Sequence, residues 1–276
     1  MATLTVRLFG GLGLERAGQP LPLPTPQKAA LVLAYLLTAH DRSHPRSLLA
    51  GLGWGDQPER RARRNLSDAL WRIRTLLEPR SPAGTQAAPV LLFEGDSVRL
   101  NPAADLDHDV RRFEAALRDP TDIAAQQAAV DLYRGDLLIG YYDDWVLLER
   151  ERLRQAYLAA LGRVIAGTAA DGAWAAAATA AARLLAADPY REDVTRQLMR
   201  FYYRLGRRDR ALQQFSTLRA VLTTDLGLDP EAETSALYTL MQAGTTLDPS
   251  GEQSAIRNPQ SAIAERGFAP QVTPLV

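Results

Sequence analysis

Gly172 and Gly206 stand 34 residues apart, and so do Ala177 and Ala211, each five residues past its glycine. A fixed period of this size constrains a chain more than any composition does. It calls for stacked helix–turn–helix units, with a glycine at the turn and a small residue where paired helices cross. Asp188-Pro189 closes the first unit, and Asp229-Pro230 follows the second after an extra Asp225-Leu226-Gly227-Leu228 segment.

Such a period is the tetratricopeptide signature; stacks of that kind usually offer a groove to a protein partner or to another domain. With only two copies, an Ala-rich helical domain with accidental glycine spacing is the other reading. Apolar periodicity near 3.6 residues predicts helices throughout this part: 107–117, 122–133, 144–167, 173–187, 192–205 and 208–222. Ala175 to Ala182 is low in complexity but strongly helix-forming. Beyond Thr245 the chain is Pro/Gly/Ser/Gln-rich without period and reads as a disordered tail over 245–276.

The first hundred residues follow another pattern. Thr3 to Leu14 is β-rich with a break at Gly10-Gly11, and Gly18-Gln19-Pro20 reads as a turn into a short strand from Leu21 to Leu23. Helices are expected from Gln27 to His40 after Pro26, from Arg46 to Leu52 closed by Gly53, and from Glu59 to Leu77. After a Pro/Gly/Ala linker over 79–89 come two strands, Val90–Phe93 and Ser97–Leu100, joined by Glu94-Gly95-Asp96. Strands, three helices and a hairpin in this order describe a winged helix-turn-helix, whose third helix enters the major groove. The expected fold is therefore mainly α with a small β component, a winged helix (1–103) followed by an all-α tetratricopeptide-like domain (104–244).

The third helix carries the chemistry. Ala62, Leu66, Ala69, Leu70, Ile73, Leu76 and Leu77 form its apolar stripe, and Arg61, Arg64, Asp68, Trp71, Arg72 and Thr75 fall opposite. Asp56, three residues before Glu59 with Pro58 between, has capping-box spacing. Arg60, Arg61, Arg63 and Arg64 crowd the helix start, where partial positive charge makes each cation cost a few tenths of a kcal/mol. An external anion would offset that cost, and nucleic-acid phosphate is the commonest. A salt-bridged solvent face is the bland alternative, but only Glu59 and Asp68 are at hand for six arginines between Arg60 and Arg74. Trp71 would lie on a sugar-phosphate wall or a base, or else pack on a neighbouring loop.

Charge distribution supports the first reading. The chain is neutral, with 32 basic and 32 acidic residues. Residues 1–80 hold twelve of the basic and six of the acidic ones, leaving 20 and 26 for the remainder, a swing from six positive to six negative. Asymmetry of this kind points to nucleic-acid contact by one part. Arginine makes up 31 of the 32 basic residues, Lys28 being the exception; guanidinium suits bidentate phosphate and guanine contacts. Zero cysteines exclude disulfides and thiol chemistry. No run of eighteen apolar residues is present, the N-terminus lacks a secretion signal, and a cytoplasmic location is expected. His40, His44 and His108 are scattered without a nucleophile partner, and the Asp105, Asp107, Asp109 set lacks a calcium-loop glycine and distal glutamate. Neither enzyme nor cofactor is expected.

The two halves together resemble bacterial regulators with an OmpR-like winged helix followed by a bacterial transcriptional activator domain, of which the Streptomyces antibiotic regulatory proteins are best known. In the first half the likeness rests on Gln27-Lys28-Ala29-Ala30-Leu31 and Ala62-Arg63-Arg64-Asn65-Leu66 leading to Ala69-Leu70-Trp71-Arg72-Ile73-Arg74. In the second it rests on Leu132-Tyr133-Arg134-Gly135-Asp136-Leu137-Leu138, Glu149-Arg150-Glu151-Arg152-Leu153, Asp188-Pro189-Tyr190-Arg191-Glu192 and Asp225-Leu226-Gly227-Leu228-Asp229-Pro230. It covers roughly residues 3–243. Departures are Gly53-Trp54 after Leu52, where the family often runs into Leu-Trp, and the acidic Asp68 on the reading face. The G-x-x-x-x-G-K-[ST] loop of larger members does not occur, so the chain resembles the small form or the N-terminal portion of a large one.

The expected function is sequence-specific transcription regulation, probing the major groove with Arg61, Arg64, Asn65, Ser67, Asp68, Trp71 and Arg72. Arg63 and Arg74 would reach phosphates, Arg60 belongs to the same DNA-binding set, and Arg46, Ser47, Ser97 and Arg99 would clamp the backbone and minor groove. The resemblance implies direct repeats of double-stranded DNA bound by more than one copy, and activation through RNA polymerase. A protein-interaction scaffold without DNA specificity is the competing expectation.

Overall fold

The computed structural model describes residues 4–78 and 88–244. Most of the linker expected over 79–89 and the whole tail expected over 245–276 lie outside them.

The chain opens with β1 (Leu4–Arg7), β2 (Gly13–Arg16) and β3 (Gln19–Pro20). Gly10 and Gly11, at φ of 88° and 143°, break the path between the first two strands as their pairing suggested. The third strand comes two residues earlier than the expected Leu21–Leu23, because the turn is made by Ala17-Gly18 at positive φ and β3 pairs at once with Glu15 and Arg16. Next come α1 (Gln27–Thr38), β4 (His44–Pro45), α2 (Arg46–Trp54), α3 (Glu59–Leu77) and the hairpin of β5 (Leu91–Glu94) and β6 (Ser97–Leu100). β4 lies against β6, so the wing is a three-stranded antiparallel sheet ordered β4-β6-β5. Helix α2 runs two residues past its expected end. Gly53 is helical and buried rather than a stop, and Gly55 follows as the C-cap.

One element escaped sequence reading. β7 (Leu106–His108) pairs parallel to β1, Leu4 to Leu106 through Val6 to His108, and completes a sheet ordered β3-β2-β1-β7. The segment was expected to open a helix, which begins only at Asp109. Asp109 then uses both carboxylate oxygens: Oδ1 accepts from Val110 N at 2.8 Å, and Oδ2 accepts from Leu8 N at 2.8 Å and Phe9 N at 3.0 Å.

From there the fold is helical: α4 (Asp109–Ala116), α5 (Ile123–Leu132), α6 (Asp144–Ala170), α7 (Trp174–Ala187), α8 (Glu192–Arg204), α9 (Arg208–Val221), a π-helical turn (Leu222–Leu226) and α10 (Ala232–Gln242). The 34-residue period is structural. Gly172 and Gly206 take φ of 73° and 71° at equivalent turns, and Ala177 and Ala211 are fully buried at the helix crossings. The architecture is mainly α with a small β component, a winged helix-turn-helix joined to a tetratricopeptide-like stack. A single buried core runs from Leu4 through Leu66 and Phe113 to Phe201 without a break between the halves, and a smaller cluster of Met199, Ala211, Phe215, Leu237 and Met241 closes the far end.

Candidate nucleic-acid interface

Helix α3 owes its orientation to its stripe. Ala62, Leu66, Ala69, Leu70, Ile73 and Leu77 are buried, and Leu76 half-buried. Burying a leucine or isoleucine side chain contributes about 1.5–3 kcal/mol, so this face fixes which side points outward. Its start differs from expectation: Pro58 occupies the cap position and no side chain caps the helix. Asp56 instead lies 3.6 Å from the Lys28 ammonium, between two exposed groups. The first-turn N–H groups therefore lack the side-chain cap that the Asp56 spacing suggested, and Glu59 is the one acidic residue of that turn.

The other end is held firmly. Arg16 of β2 donates to the Leu77 carbonyl at 2.7 Å and to the Leu76 carbonyl at 3.4 Å, meeting acceptors that a helix end leaves unpaired. Glu78 accepts from Val90 N at 2.6 Å, Leu91 N at 3.0 Å and Arg74 Nε at 2.9 Å, linking the end of α3 to the base of the wing. Neither residue was singled out from sequence. Arg16 lies about sixty positions from its acceptors, and no local pattern announces such a contact.

The six arginines of α3 divide into two groups. Arg63 pairs with Glu59 at 2.9 Å and Arg74 with Glu78 at 2.9 Å, both one turn apart. Arg60, Arg61, Arg64 and Arg72 are exposed and have no carboxylate within ion-pair distance among the described residues. The Arg63–Glu59 pair is exposed on both sides, and such pairs are worth at most about 1 kcal/mol, so Arg63 could exchange partners, whereas Glu78 is held by the wing. Asp68 is exposed on the same side. Trp71 is 67% exposed, which removes the reading in which it packs on a loop. A large aromatic left in water beside free guanidiniums is an unusual use of surface.

The remaining candidates are more constrained. Arg46 Nη2 donates to Ser67 Oγ at 2.8 Å, and that hydroxyl donates to Arg63 O at 2.9 Å, bridging α2 and α3. Asn65 Nδ2 donates to Gln57 Oε1 at 2.9 Å. Ser47 is exposed at the start of α2, while Ser97 and Arg99 are half-buried on β6. Arg99 Nε lies 3.0 Å from Glu94 across the hairpin but is not aimed at it, so the contact is an ion pair without a hydrogen bond.

The profile of the family described as Bacterial transcriptional activator domain matches residues 103–242, half of the chain. The chain belongs to this family. Its relatives include the Regulatory protein AfsR of Streptomyces coelicolor, 30% identical over 264 residues that make up 93% of this chain but 26% of AfsR. The Transcriptional regulatory protein MoaR1 of Mycobacterium tuberculosis is 28% identical over 243 residues, 84% of this chain and 76% of MoaR1. This family member thus spans about a quarter of one relative and three quarters of the other. Among solved structures, Mycobacterium tuberculosis EmbR in complex with a low affinity phosphopeptide superposes with a TM-score of 0.65 at 26% identity, covering 90% of this chain and 67% of EmbR. No helix among the described residues is long and apolar enough to cross a membrane.

Proposed function

We propose that this protein is a transcription regulator that binds duplex DNA through α3 and recruits RNA polymerase to activate transcription. The observation carrying this reading is the set of four exposed arginines, Arg60, Arg61, Arg64 and Arg72, without carboxylate partners on the outward side of α3. At 1.5 Å per residue the 19-residue helix is about 28 Å long, and its outward side fits a groove about 12 Å wide. Arg61, Arg64, Asn65, Asp68, Trp71 and Arg72 face the bases and groove walls in this reading, with Asp68 suited to accept from cytosine N4. Arg60, Arg63 and Arg74 meet phosphates. Arg46, through its bond to Ser67, and Ser47 hold the backbone beside α2, and Ser97 and Arg99 do so on the wing. The first half, up to about residue 103, serves as the DNA-binding domain, and residues 104–244 as the activator domain. Copies bound side by side on direct repeats would follow from the family resemblance.

The test is a titration of operator and scrambled duplexes against salt. Arg61→Ala or Arg64→Ala should weaken operator binding by about 1–3 kcal/mol and relax specificity, whereas Arg60→Ala should weaken both duplexes alike and lower the salt slope by about one. Unchanged binding and slope in all three variants would overturn the assignment of α3. Equal affinity of the wild type for both duplexes would favour a protein-interaction scaffold.

A further inference from the structure

Away from α3, a cleft of about 400 Å³ opens between α7, the end of α8 and the start of α9. Its floor is Ala175, Ala178, Thr179, Ala182 and Ala186 of α7, and Tyr202 and Leu205 form a wall. Three guanidiniums, Arg183, Arg207 and Arg210, border it.

The floor makes no polar demand. The Thr179 hydroxyl is already spent, donating to Ala175 O at 3.0 Å within its own helix. Alanine side chains let another main chain come close to α7. Arg183 is committed as well, to Asp131 at 2.8 Å and to the Val130 carbonyl at 2.7 Å. Arg207 and Arg210 are exposed and have no ion-pair or hydrogen-bond partner for their side chains among the described residues.

The internal repeat shows that the fold does not require those two cations. Thirty-four residues earlier, the equivalent positions are Ala173 and Ala176, both exposed at the start of α7. The second unit has exchanged two methyl groups for two guanidiniums at the edge of a cleft. Residues 81–276 are six net negative even with these two counted, so this is a local cationic site on an acidic half. A nucleic-acid duplex would meet that wider negative charge along its length, whereas a short carboxylate-bearing segment meets only the cleft.

We propose that the cleft between α7 and α9 binds an extended acidic peptide segment of a protein partner. The partner's carboxylates pair with Arg207 and Arg210, its main chain lies along the alanine floor, and the half-buried Tyr202 flanks it. Fourteen residues of α7 span about 21 Å, room for roughly six extended residues. The site is independent of how α3 meets DNA.

A fluorescein-labelled (Glu-Ala)₄ peptide, titrated into the 276-residue chain at low salt and read by anisotropy, tests this directly. Saturable one-to-one binding is expected, weakened roughly tenfold or more in Arg207→Glu/Arg210→Glu and less in Arg207→Ala/Arg210→Ala. Binding should be unchanged in Arg61→Ala/Arg64→Ala and absent for (Gln-Ala)₄. The alanine pair decides the matter should charge reversal impair folding, which circular dichroism would reveal. Equal binding of the glutamine peptide, displacement of the glutamate peptide by duplex DNA, loss of binding in the α3 variant alone, or no saturation would each overturn the proposal.

Discussion

The imidazole of His108 donates from Nε2 to the carbonyl of Leu37 at 2.9 Å, a hydrogen bond between the strand that begins the second half and a helix of the first. Its other nitrogen accepts from Arg111 N at 3.3 Å. A backbone N–H can only donate, so these partners define a neutral ring protonated at Nε2. The 3.9 Å approach of Asp109 Oδ1 is then not an ion pair.

Burial lowers the His108 pKa from 6.5 to about 4. The unfolded chain therefore takes up a proton as pH falls below about 6.5, while the folded protein resists it until about 4. Stability from this group is present above the higher value and is lost on descending to the lower one, by about 2–3 kcal/mol. Asp109 acts oppositely, since burial raises its pKa and folding gains as it protonates. Urea unfolding at pH 7 and pH 4 should show a smaller decline in His108→Gln than in the wild type, the difference isolating the histidine.

Arg16→Ala should cost about 1–2 kcal/mol, because it strips charged donors from the carbonyls at the end of α3. Amide exchange should quicken in the last turn of α3 more than in its first. A uniform change along the helix would show that the contact adds nothing local.

Glu59→Gln should leave Arg63 without its partner and remove a carboxylate from the proposed DNA side. Nonspecific duplex affinity should rise, and the salt slope should steepen by up to about one. Stability should change by less than about 1 kcal/mol, as expected for an exposed pair.

Gly167 sits where α6 crosses α5, and a Cβ there would fall 2.6 Å from Cγ1 and 2.7 Å from Cδ1 of Ile123. Gly167→Ala should destabilise by about 1–3 kcal/mol from overpacking. Combining it with Ile123→Ala should restore part of the loss, a non-additivity measurable in a double-mutant cycle.

Arg150 donates to the carbonyls of Leu137 at 2.9 Å, Leu138 at 3.0 Å and Tyr141 at 3.0 Å, bracing a loop in which Leu138 holds a φ of 49°. Left-handed backbone at a branched residue is unfavourable by roughly 1–2 kcal/mol and persists because surrounding contacts compensate. Arg150→Lys, with one donor head in place of a planar fork, should lower the thermal midpoint although the charge is kept.

Periodic features were the ones readable in advance. The stripe of α3 and the glycine–alanine repeat each depend on residues a few positions apart, where local geometry decides, and both matched the structure. Misreadings fell where distant contacts decide. Gly167 looked like a helix end, whereas α6 continues through it to Ala170 and the missing side chain leaves room for Ile123. Asp56 had capping spacing, but Pro58 took the position. Leu106-Asp107-His108 is too short and too polar to announce a strand, and only the open edge of β1 makes it one. The grouping of the arginines was legible only in part: Glu59 could be matched to Arg63 from spacing, but the anchoring of Glu78 to the wing could not.

The parallel pairing of β7 with β1 has a practical consequence. Severing the chain near residue 103 would leave Leu4, Thr5 and Val6 without the neighbour that covers their outer side, and would remove the carboxylate of Asp109 from the amides of Leu8 and Phe9. A truncated piece ending there would display a raw sheet margin prone to self-association. One extending through Ala116 would carry its own cover.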